Sequence, residues 1–571
     1  MISQEIQSVL QVYKYIYLCF DTELKMHRYR GEYEYQGNLF VHEIRFDEIQ
    51  NDYLKLPQVF INSLPENIPE RMPHFEANNR LCYLDIEGVF LNPFNLKTAT
   101  IQIIEQVQKT FRETIDRTET QHAEEHAYEF SAYWMSSKTL GLLATREQAG
   151  HIYAYERDQL PDRVNVRKFE VYLPKNDLQA KSTWFSELSE FVDPSSISGP
   201  ENAIYIESNK MPLISPGATW PPQNFSEYLT WYKSVDQGAY TKLLSLIRQN
   251  FQKLRLTIFF RFSGDHLIGI KLKKSKIRSM AIDESIRRNS RNSILETLFK
   301  SKKSFDTFDR IFVEDTSSDF ILKRNAEANL TDRKIALIGA GTIGGYLAHL
   351  LVQNGAGFGD GSLSIYDADV FSSGNIGRHI LGTKYLFQQK SEAICHFIQS
   401  DYHYSHANLR AFKEFDYKKI NSLGSFDLLI DATGNRAFST LLSHQWHKSD
   451  KASRPNVLIH SWIDAAGQVA RALIDDDCVA CYHCIHSNKE LVPYKVDVVP
   501  KKIRRSCAGS SFFVFSADAS MAAAALGLNK AIASLKGSPQ PRFSSIPIGR
   551  DVKSIRSRDV KKLKGCPCCQ I

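Results

Sequence analysis

No apolar run in this 571-residue chain reaches the ~18 residues of a membrane span, which excludes an integral helical membrane protein. Excess charge is missing too. Lys and Arg number 71 against 64 Asp and Glu, a net of +7, too little for an obligate binder of nucleic acid or another polyanion. The chain is not depleted in apolar residues either: it is 43% hydrophobic and 24% charged, and disorder is excluded on that ground. The first twenty residues, MISQEIQSVLQVYKYIYLCF, carry acid and lack a basic stretch followed by a small-residue cleavage site. Cysteine is not dense enough for a short secreted disulfide scaffold. The expectation is a cytoplasmic chain of about three to five domains, with no membrane as partner.

Ten cysteines are nevertheless present, and six of them fall in two tight clusters, at 478–484 and 566–569. In a reducing compartment such spacing points to metal more than to disulfides.

Three regions separate on pattern. Residues 10 to about 60 hold short strand-like runs (YKYIYLCF, LKMHRYR, NLFVHEIRF) broken by turn-formers such as Gln36-Gly37-Asn38, which predicts a β-meander. After a Pro-rich segment and LCYLDI, Ile101, Ile104, Val107, Phe111 and Ile115 recur at spacings of three and four, predicting one amphipathic helix. A polar stretch (TETQHAEEHA) is expected to end this unit near residue 126. Residues 127–320 mix strand-like runs with Pro-, Ser- and Gly-rich loops, and carry no repeat or catalytic signature. Within them, residues 271–303 hold eleven Lys/Arg against three acids. That stretch reads as a solvated helix face, with a docking surface for an acidic partner as the alternative. From 331 onward, buried strands alternate with helices (KIALIGAG, YLAHLLVQN, SLSIYDAD, FDLLIDAT, NVLIHSWI), which predicts a parallel, doubly wound sheet. The fold class expected is multidomain, α+β at the amino terminus, mixed in the middle and α/β at the carboxy terminus.

Gly339-Ala340-Gly341-Thr342-Ile343-Gly344 follows a strand and opens a helix. Glycines there allow a tight turn and bring backbone N–H groups to phosphate at a helix N-terminus. Asp367 ends the next strand, placed to accept a hydrogen bond from a ribose hydroxyl. Alone this suits an NAD-dependent dehydrogenase as well as an ATP enzyme. Beyond it come Asp369, Asn375, Arg378 and Lys390, and two cations past the ribose acid make sense where a triphosphate is held and its α-phosphate made electrophilic. Over residues 331–571 the sequence resembles the ThiF-type adenylating family, which includes ubiquitin-activating enzymes and adenylyltransferases of sulfur-carrier proteins. The resemblance implies that Asp367 holds ribose and that Asn375, Arg378 and Lys390 contact phosphates of ATP. It also implies homodimers in which Arg324 reaches the nucleotide of a neighbouring subunit; a surface linker charge is the plainer reading of Arg324.

Two departures from the family stand out. His379 occupies the place of a glutamine after the arginine, and Gly434 that of the aspartate that binds Mg²⁺. Asp431, three residues earlier, is either the substitute metal carboxylate or a structural residue at a strand end. Cys481, Cys484, Cys566 and Cys569 form two CxxC pairs that would close a structural four-cysteine zinc site, and the family carries such pairs in these places; Cys478 and Cys568 offer alternative registers. Cys507 follows Lys501, Lys502, Arg504 and Arg505, cations that favour a thiolate, and sits where the family keeps its thioester or sulfur-accepting cysteine. A small buried residue is the alternative there.

The order of the first unit (meander, Pro-rich loop, His74, Cys82, Pro93, long helix) looks like the ubiquitin-conjugating fold over residues 10–117. His74-Phe75-Glu76 replaces the usual His-Pro-Asn, so the asparagine that would stabilise an oxyanion is missing. Cys82 is then the second acyl carrier, or a buried hydrophobe in a strand. Conjugating-like unit (1–126), middle domain (127–320) and activating unit (321–571) on one chain resemble bacterial fusion proteins of CBASS-type antiphage operons. The resemblance implies activation of a partner's C-terminus as an acyl-adenylate, a thioester on Cys507, transfer to Cys82 and conjugation to an amine-bearing acceptor. The acyl donor implied is a cGAS-like nucleotidyltransferase or a ubiquitin-like protein. A sulfur-carrier adenylyltransferase with a docking module, and a catalytically dead scaffold, are the rival readings.

Overall fold

The computed structural model describes all residues except 1, 48–52, 54, 67, 69–71, 76–78, 85–88, 131–133, 135–138, 145, 147, 157–167, 175–197, 215–219, 251–253, 276–278, 289–290, 302–303, 326–329, 402–406, 493–501, 505–510, 538–540, 551, 554 and 571. The described residues divide into two compact units, one up to Asp315 and one from Thr316 onward. No helix among them is long and apolar enough to cross a membrane.

The first unit opens with α1 (Gln4–Val12), whose Ser3 cap accepts the Ile6 N–H. Five antiparallel strands follow in sequence order: β1 (Ile16–Asp21), β2 (Met26–Tyr35), β3 (Asn38–Asp47), β4 (Gln58–Ser63) and β5 (Arg80–Leu81). The predicted meander is there, and its tightest turn is the predicted one. Gln36 and Gly37 both take positive φ, at 49° and 75°, the twist that a two-residue hairpin loop needs. Helix α2 (Leu96–Asp116) lays Ile103, Ile104, Val107 and Phe111 against the sheet, with Phe111 stacked on Phe40 at 4.4 Å between ring centres. The polar stretch after it does not simply end the unit. Thr118 and Gln121 form a capping box, and α3 (Glu119–Tyr128) continues as a second helix with Ala127 as its buried residue.

The remainder of this unit is a closed barrel. Its strands are β6 (Thr139–Leu143), β7 (Ala149–Glu156), β8 (Lys168–Pro174), β9 (Ser198–Glu207), β10 (Arg255–Arg261), β11 (Leu267–Lys274) and β12 (Phe305–Asp315), in the order 10-11-12-6-8-7-9. Phe259 fills the interior beside Gly141 and Gly269, where a Cβ would sit only 3.0 Å from Phe259 and Val313 respectively. Helices α4 (Phe225–Val235) and α5 (Gln237–Asn250) cover the outside through Tyr228, Tyr232 and Leu243. Of the basic stretch, Lys271, Lys273 and Lys274 lie on β11, Arg287 on α6 (Ser279–Arg287) and Lys300 on α7 (Asn292–Lys300), with Arg288 and Arg291 between the helices. Lys271 and Lys274 turn to Glu170 and Asp283, while Arg287 and Arg288 stay 73% and 76% exposed beside Glu284.

The second unit begins with α8 (Ser318–Asn325) and is built on a seven-stranded sheet. Five strands are parallel: β13 (Lys334–Ile338), β14 (Ser362–Tyr366), β15 (Leu409–Phe412), β16 (Leu428–Asp431) and β17 (Val457–Asp464). β18 (Val469–Asp475) and the last strand (Phe543–Pro547) extend it antiparallel. The order 15-14-13-16-17-18, with the last strand outermost, reverses direction around β13. That reversal opens a crevice at the carboxyl end of β13, where ligands of such sheets bind. α9 (Thr342–Gln353), α10 (Lys390–Asp401) and α11 (Arg436–Lys448) join these strands.

Candidate functional site

At the crevice, β13 runs into Gly339, which takes φ +91°. A Cβ at Gly339 would lie 3.0 Å from the backbone of Ala432 and Thr433, and one at Gly344 would lie 1.7 Å from the Gly339 carbonyl oxygen. Both positions therefore need glycine for close backbone approach. Gly341, the cap of α9, differs: a Cβ there would meet nothing within 4 Å. The side of the turn that faces away from the sheet is open.

Asp367 holds the turn from the end of β14. Its Oδ2 accepts the Ala340 N–H at 2.6 Å and its Oδ1 the Asp369 N–H at 2.8 Å. Burial pushes this carboxyl up from its ordinary value, against those two hydrogen bonds. Each oxygen keeps a second lone pair, so a ribose hydroxyl would add to these bonds rather than replace them. Lys390, buried at the start of α10, donates from Nζ to Asp369 Oδ2 at 2.8 Å. The Gln389 amide donates to the Asp367 and Asp369 carbonyls at 2.7 and 3.0 Å. The turn, Asp367, Asp369 and Lys390 thus share one locus, as the sequence predicts for them, and the Asp369 side chain is 73% exposed there.

Of the other expected nucleotide contacts, Asn375, Arg378 and Asp431 are engaged locally. Asn375 Oδ1 accepts the N–H and O–H of Ser372, both at 3.1 Å. The Arg378 guanidinium lies 4.6 Å from the centre of the Phe515 ring and 3.4 Å from the Gly374 carbonyl. Arg324 is exposed on α8. Asp431 is buried: Oδ1 accepts the Thr433 N–H and O–H at 3.0 and 2.7 Å, and Oδ2 lies 2.9 Å from His460 Nδ1. Burial alone would raise this carboxyl, but His460, Ser439 and Thr433 hold it below the ordinary value. A cation at Asp431 would have to displace one of those partners, whereas Asp369 presents an exposed oxygen beside the turn. Cys507 lies outside the described residues.

The cysteine clusters converge. Cys481 Sγ lies 3.6 Å from Cys484 Sγ and 3.7 Å from Cys566 Sγ, and Cys484 Sγ lies 3.7 Å from Cys569 Sγ. All four sulfurs fall within 4.8 Å of one another. A tetrahedron with Zn–S of ~2.3 Å has edges of ~3.8 Å, so the four thiols fit zinc. Leu563 donates its N–H to Cys484 Sγ at 3.4 Å. Of the alternative registers, Cys568 turns to the Ser443 hydroxyl at 3.3 Å and Cys478 is exposed.

In the first unit, Cys82 follows β5 and is exposed. Its N–H donates to the His74 carbonyl at 2.8 Å, next to the single bridge Phe75–Leu81. This pairing sets two residues eight apart across from each other. His74 takes φ +70°, a conformation costing a non-glycine residue about 1–2 kcal/mol. Its N–H donates to Glu129 Oε2 at 2.8 Å, and its Nδ1 lies 2.6 Å from Glu129 Oε1 as an ion pair. Arg117 Nη1 stands 3.4 Å and Glu125 Oε1 3.7 Å from Nε2. Ligand atoms of His74, Cys82 and Glu129 all lie within 4.8 Å of one another. Burial alone would lower the imidazole, but bonds to Cys82 and Glu129 and the charges of Glu129 and Glu125 push it up to about 10. Sequence reasoning reached Cys82 and His74 but not Glu129. It sits 55 residues from His74, and helix α3 that brings it there lacks an apolar stripe.

Comparison with known proteins adds three results. Residues 317–568 match the ThiF family and residues 21–142 match prokaryotic E2 family B. The "ATP-dependent ubiquitin transferase-like protein Cap2" of Vibrio cholerae serotype O1 is 28% identical over 561 residues, covering 95% of this chain and 93% of that protein. Its counterpart in Escherichia coli strain TW11681 is 26% identical, covering 90% and 89%. A solved structure of E. coli MccB with ATP aligns over 60% of this chain and 88% of its own at 13% identity, with a TM-score of 0.32.

Proposed function

We infer that this chain, which joins a prokaryotic E2 unit to a ThiF unit, works as the relatives' name describes: an ATP-dependent ubiquitin transferase-like enzyme. The observation that carries the reading is the pairing of two sites on one polypeptide. One is a glycine turn braced by Asp367 beside Lys390, and the other is an exposed Cys82 thiol set across from His74.

The acyl donor proposed is the C-terminus of a cGAS-like nucleotidyltransferase in antiphage defence, with a bacterial ubiquitin-like protein as the runner-up. The turn's N–H groups and Lys390 hold the phosphates of ATP, Asp367 the ribose, and Asn375 and Arg378 rotate from their local partners onto the phosphates. The donor carboxylate attacks the α-phosphate, giving acyl-adenylate and pyrophosphate, and Arg378 and Lys390 stabilise the charge that develops there. Mg²⁺, when bound, would neutralise triphosphate charge; Asp369 is the carboxylate open to it, with Asp431 available on release of a partner. The Cys507 thiolate displaces AMP to form a thioester, the Cys82 thiolate takes the acyl group by exchange, and an acceptor amine displaces Cys82 to leave an amide. Zinc on Cys481, Cys484, Cys566 and Cys569 is structural, tying the carboxy-terminal tail to α12 (Tyr482–Ser487). Homodimerisation, with Arg324 reaching across, belongs to the same proposal.

The test is ATP–pyrophosphate exchange by the full chain. Exchange that needs the nucleotidyltransferase's C-terminal peptide supports the reading. Exchange with a ubiquitin-like protein alone selects the runner-up, and no exchange with either contradicts both.

A further inference from the structure

We propose that Cys82, His74 and Glu129 form an acyl-transfer relay in which Glu129 positions His74 as an imidazolium partner of the Cys82 thiolate, in place of an oxyanion-stabilising asparagine. The inference rests on the reading of Cys82 as the second acyl carrier.

Three independent features carry it. Glu129 grips His74 at both ends of the residue, with Oε2 on its backbone N–H and Oε1 at Nδ1. The first is a directed hydrogen bond that holds the backbone, and the second is a charge contact that favours the protonated ring. The backbone of His74 is held at positive φ, a conformation kept where surrounding contacts over-determine it. The Cys82 N–H bond to the His74 carbonyl then sets the thiol beside the ring. The charged groups facing the imidazole from α2 and α3 are Arg117, Glu125 and Glu129, and the further titratable ones are His122 and His126. Burial is the main cause that lowers His122 and His126, so neither adds a competing cation near neutral pH. Arg117 is itself tied to Glu113 and Glu125.

The chemistry balances without a further reactant. In exchange, the Cys82 sulfur bonds to the thioester carbonyl carbon and the Cys507–acyl bond breaks, releasing the Cys507 thiolate. The His74 proton stays in place. In aminolysis the amine nitrogen bonds to the acyl carbon and loses its proton to water, and the Cys82–acyl bond breaks. The thiolate so released re-forms the ion pair with the imidazolium.

The experiment is alkylation of Cys82 by iodoacetamide in the full chain, followed as the Cys82 peptide by mass spectrometry across pH. Glu129→Gln and His74→Gln are expected to slow alkylation about tenfold near pH 7, the deficit closing near pH 10, where the thiolate forms unaided. Glu129→Asp should restore most of the rate. Wild-type rates in both variants, or an equal deficit at every pH, overturn the proposal, because a merely structural role moves the rate without moving the profile. Conjugation by Cys82→Ala at the wild-type level would instead remove the acyl-carrier reading, and with it the relay's role in transfer, whatever the alkylation profile shows.

Discussion

His379 reaches back to the glycine turn: its Nε2 lies 2.8 Å from the Ala340 carbonyl oxygen, while its Nδ1 accepts the Leu381 N–H at 3.1 Å. The second bond fixes the tautomer, so Nε2–H is the donor to Ala340. Burial is the main cause that lowers this imidazole to about 4, keeping it neutral. Gly345 makes room for it, since a Cβ there would approach His379 Cε1 to 3.0 Å. A side-chain amide can make the same donor contact. His379→Gln should leave the KM for ATP within about twofold, and His379→Ala, which loses both the bond to Ala340 and the one from Leu381 at about 0.5–1.5 kcal/mol each, should raise it about tenfold. Pyrophosphate exchange measured against ATP concentration checks both.

Lys390 is the buried cation of the same locus, and its partner Asp369 is an exposed carboxylate. Lys390→Ala leaves that carboxylate unpaired and removes a donor from developing phosphate charge. Exchange is expected to fall about 10²–10³-fold. Lys390→Arg should recover only part of it, because the wider guanidinium has to fit a buried site.

Acid should destabilise the first unit through His42. Burial pushes His42 down to about 4, and Tyr15 Oη lies 2.7 Å from its Nε2. The unfolded chain takes up this proton below about 6.5, while the folded chain resists until about 4. Stability is therefore lost as pH falls through that window, by about 3 kcal/mol at its lower end. His42→Gln should be less stable than wild type at neutral pH yet flatter between these limits, as thermal melts at a series of pH values would register.

Much of this was legible in sequence, for identifiable reasons. The strands at 334–338 and 428–431 are buried on both faces and carry continuous apolar runs in IALI and LLI, the one at 362–366 is equally buried but alternates Ser with apolar residues, and the Gln36-Gly37 turn announces its hairpin. The barrel was not legible. β6 pairs in parallel with β8 and β12, and β9 with β10, so its closure depends on partners far apart in the chain. Helix α3 buries only Ala127 among its residues, which leaves no periodic signal, although its Thr118–Gln121 capping box is a sequence feature that could have exposed it. At the nucleotide site, residue types gave the cluster of Asp367, Asp369 and Lys390. They could not show that the oxygens of Asp431 are taken by Thr433 and His460.

The four sulfurs within 4.8 Å predict about one zinc per chain by elemental analysis. Cys481→Ser or Cys566→Ser should lose it and lower the melting temperature. Cys568→Ser should retain it, because Cys481, Cys484, Cys566 and Cys569 already supply four sulfurs within reach of one ion and the Cys568 thiol has the Ser443 hydroxyl as a partner.

The central claim is that one acyl group passes through two cysteines of the same polypeptide, and trapping it tests this most directly. The full chain is incubated with ATP and the nucleotidyltransferase donor, resolved without reductant, and the acylated peptides are identified by mass spectrometry. The account predicts a thiol-labile thioester on both cysteines in the wild type, accumulation on Cys507 in Cys82→Ala, and none on Cys82 in Cys507→Ala. A Cys507→Ala chain that still charges Cys82 and conjugates normally would contradict it.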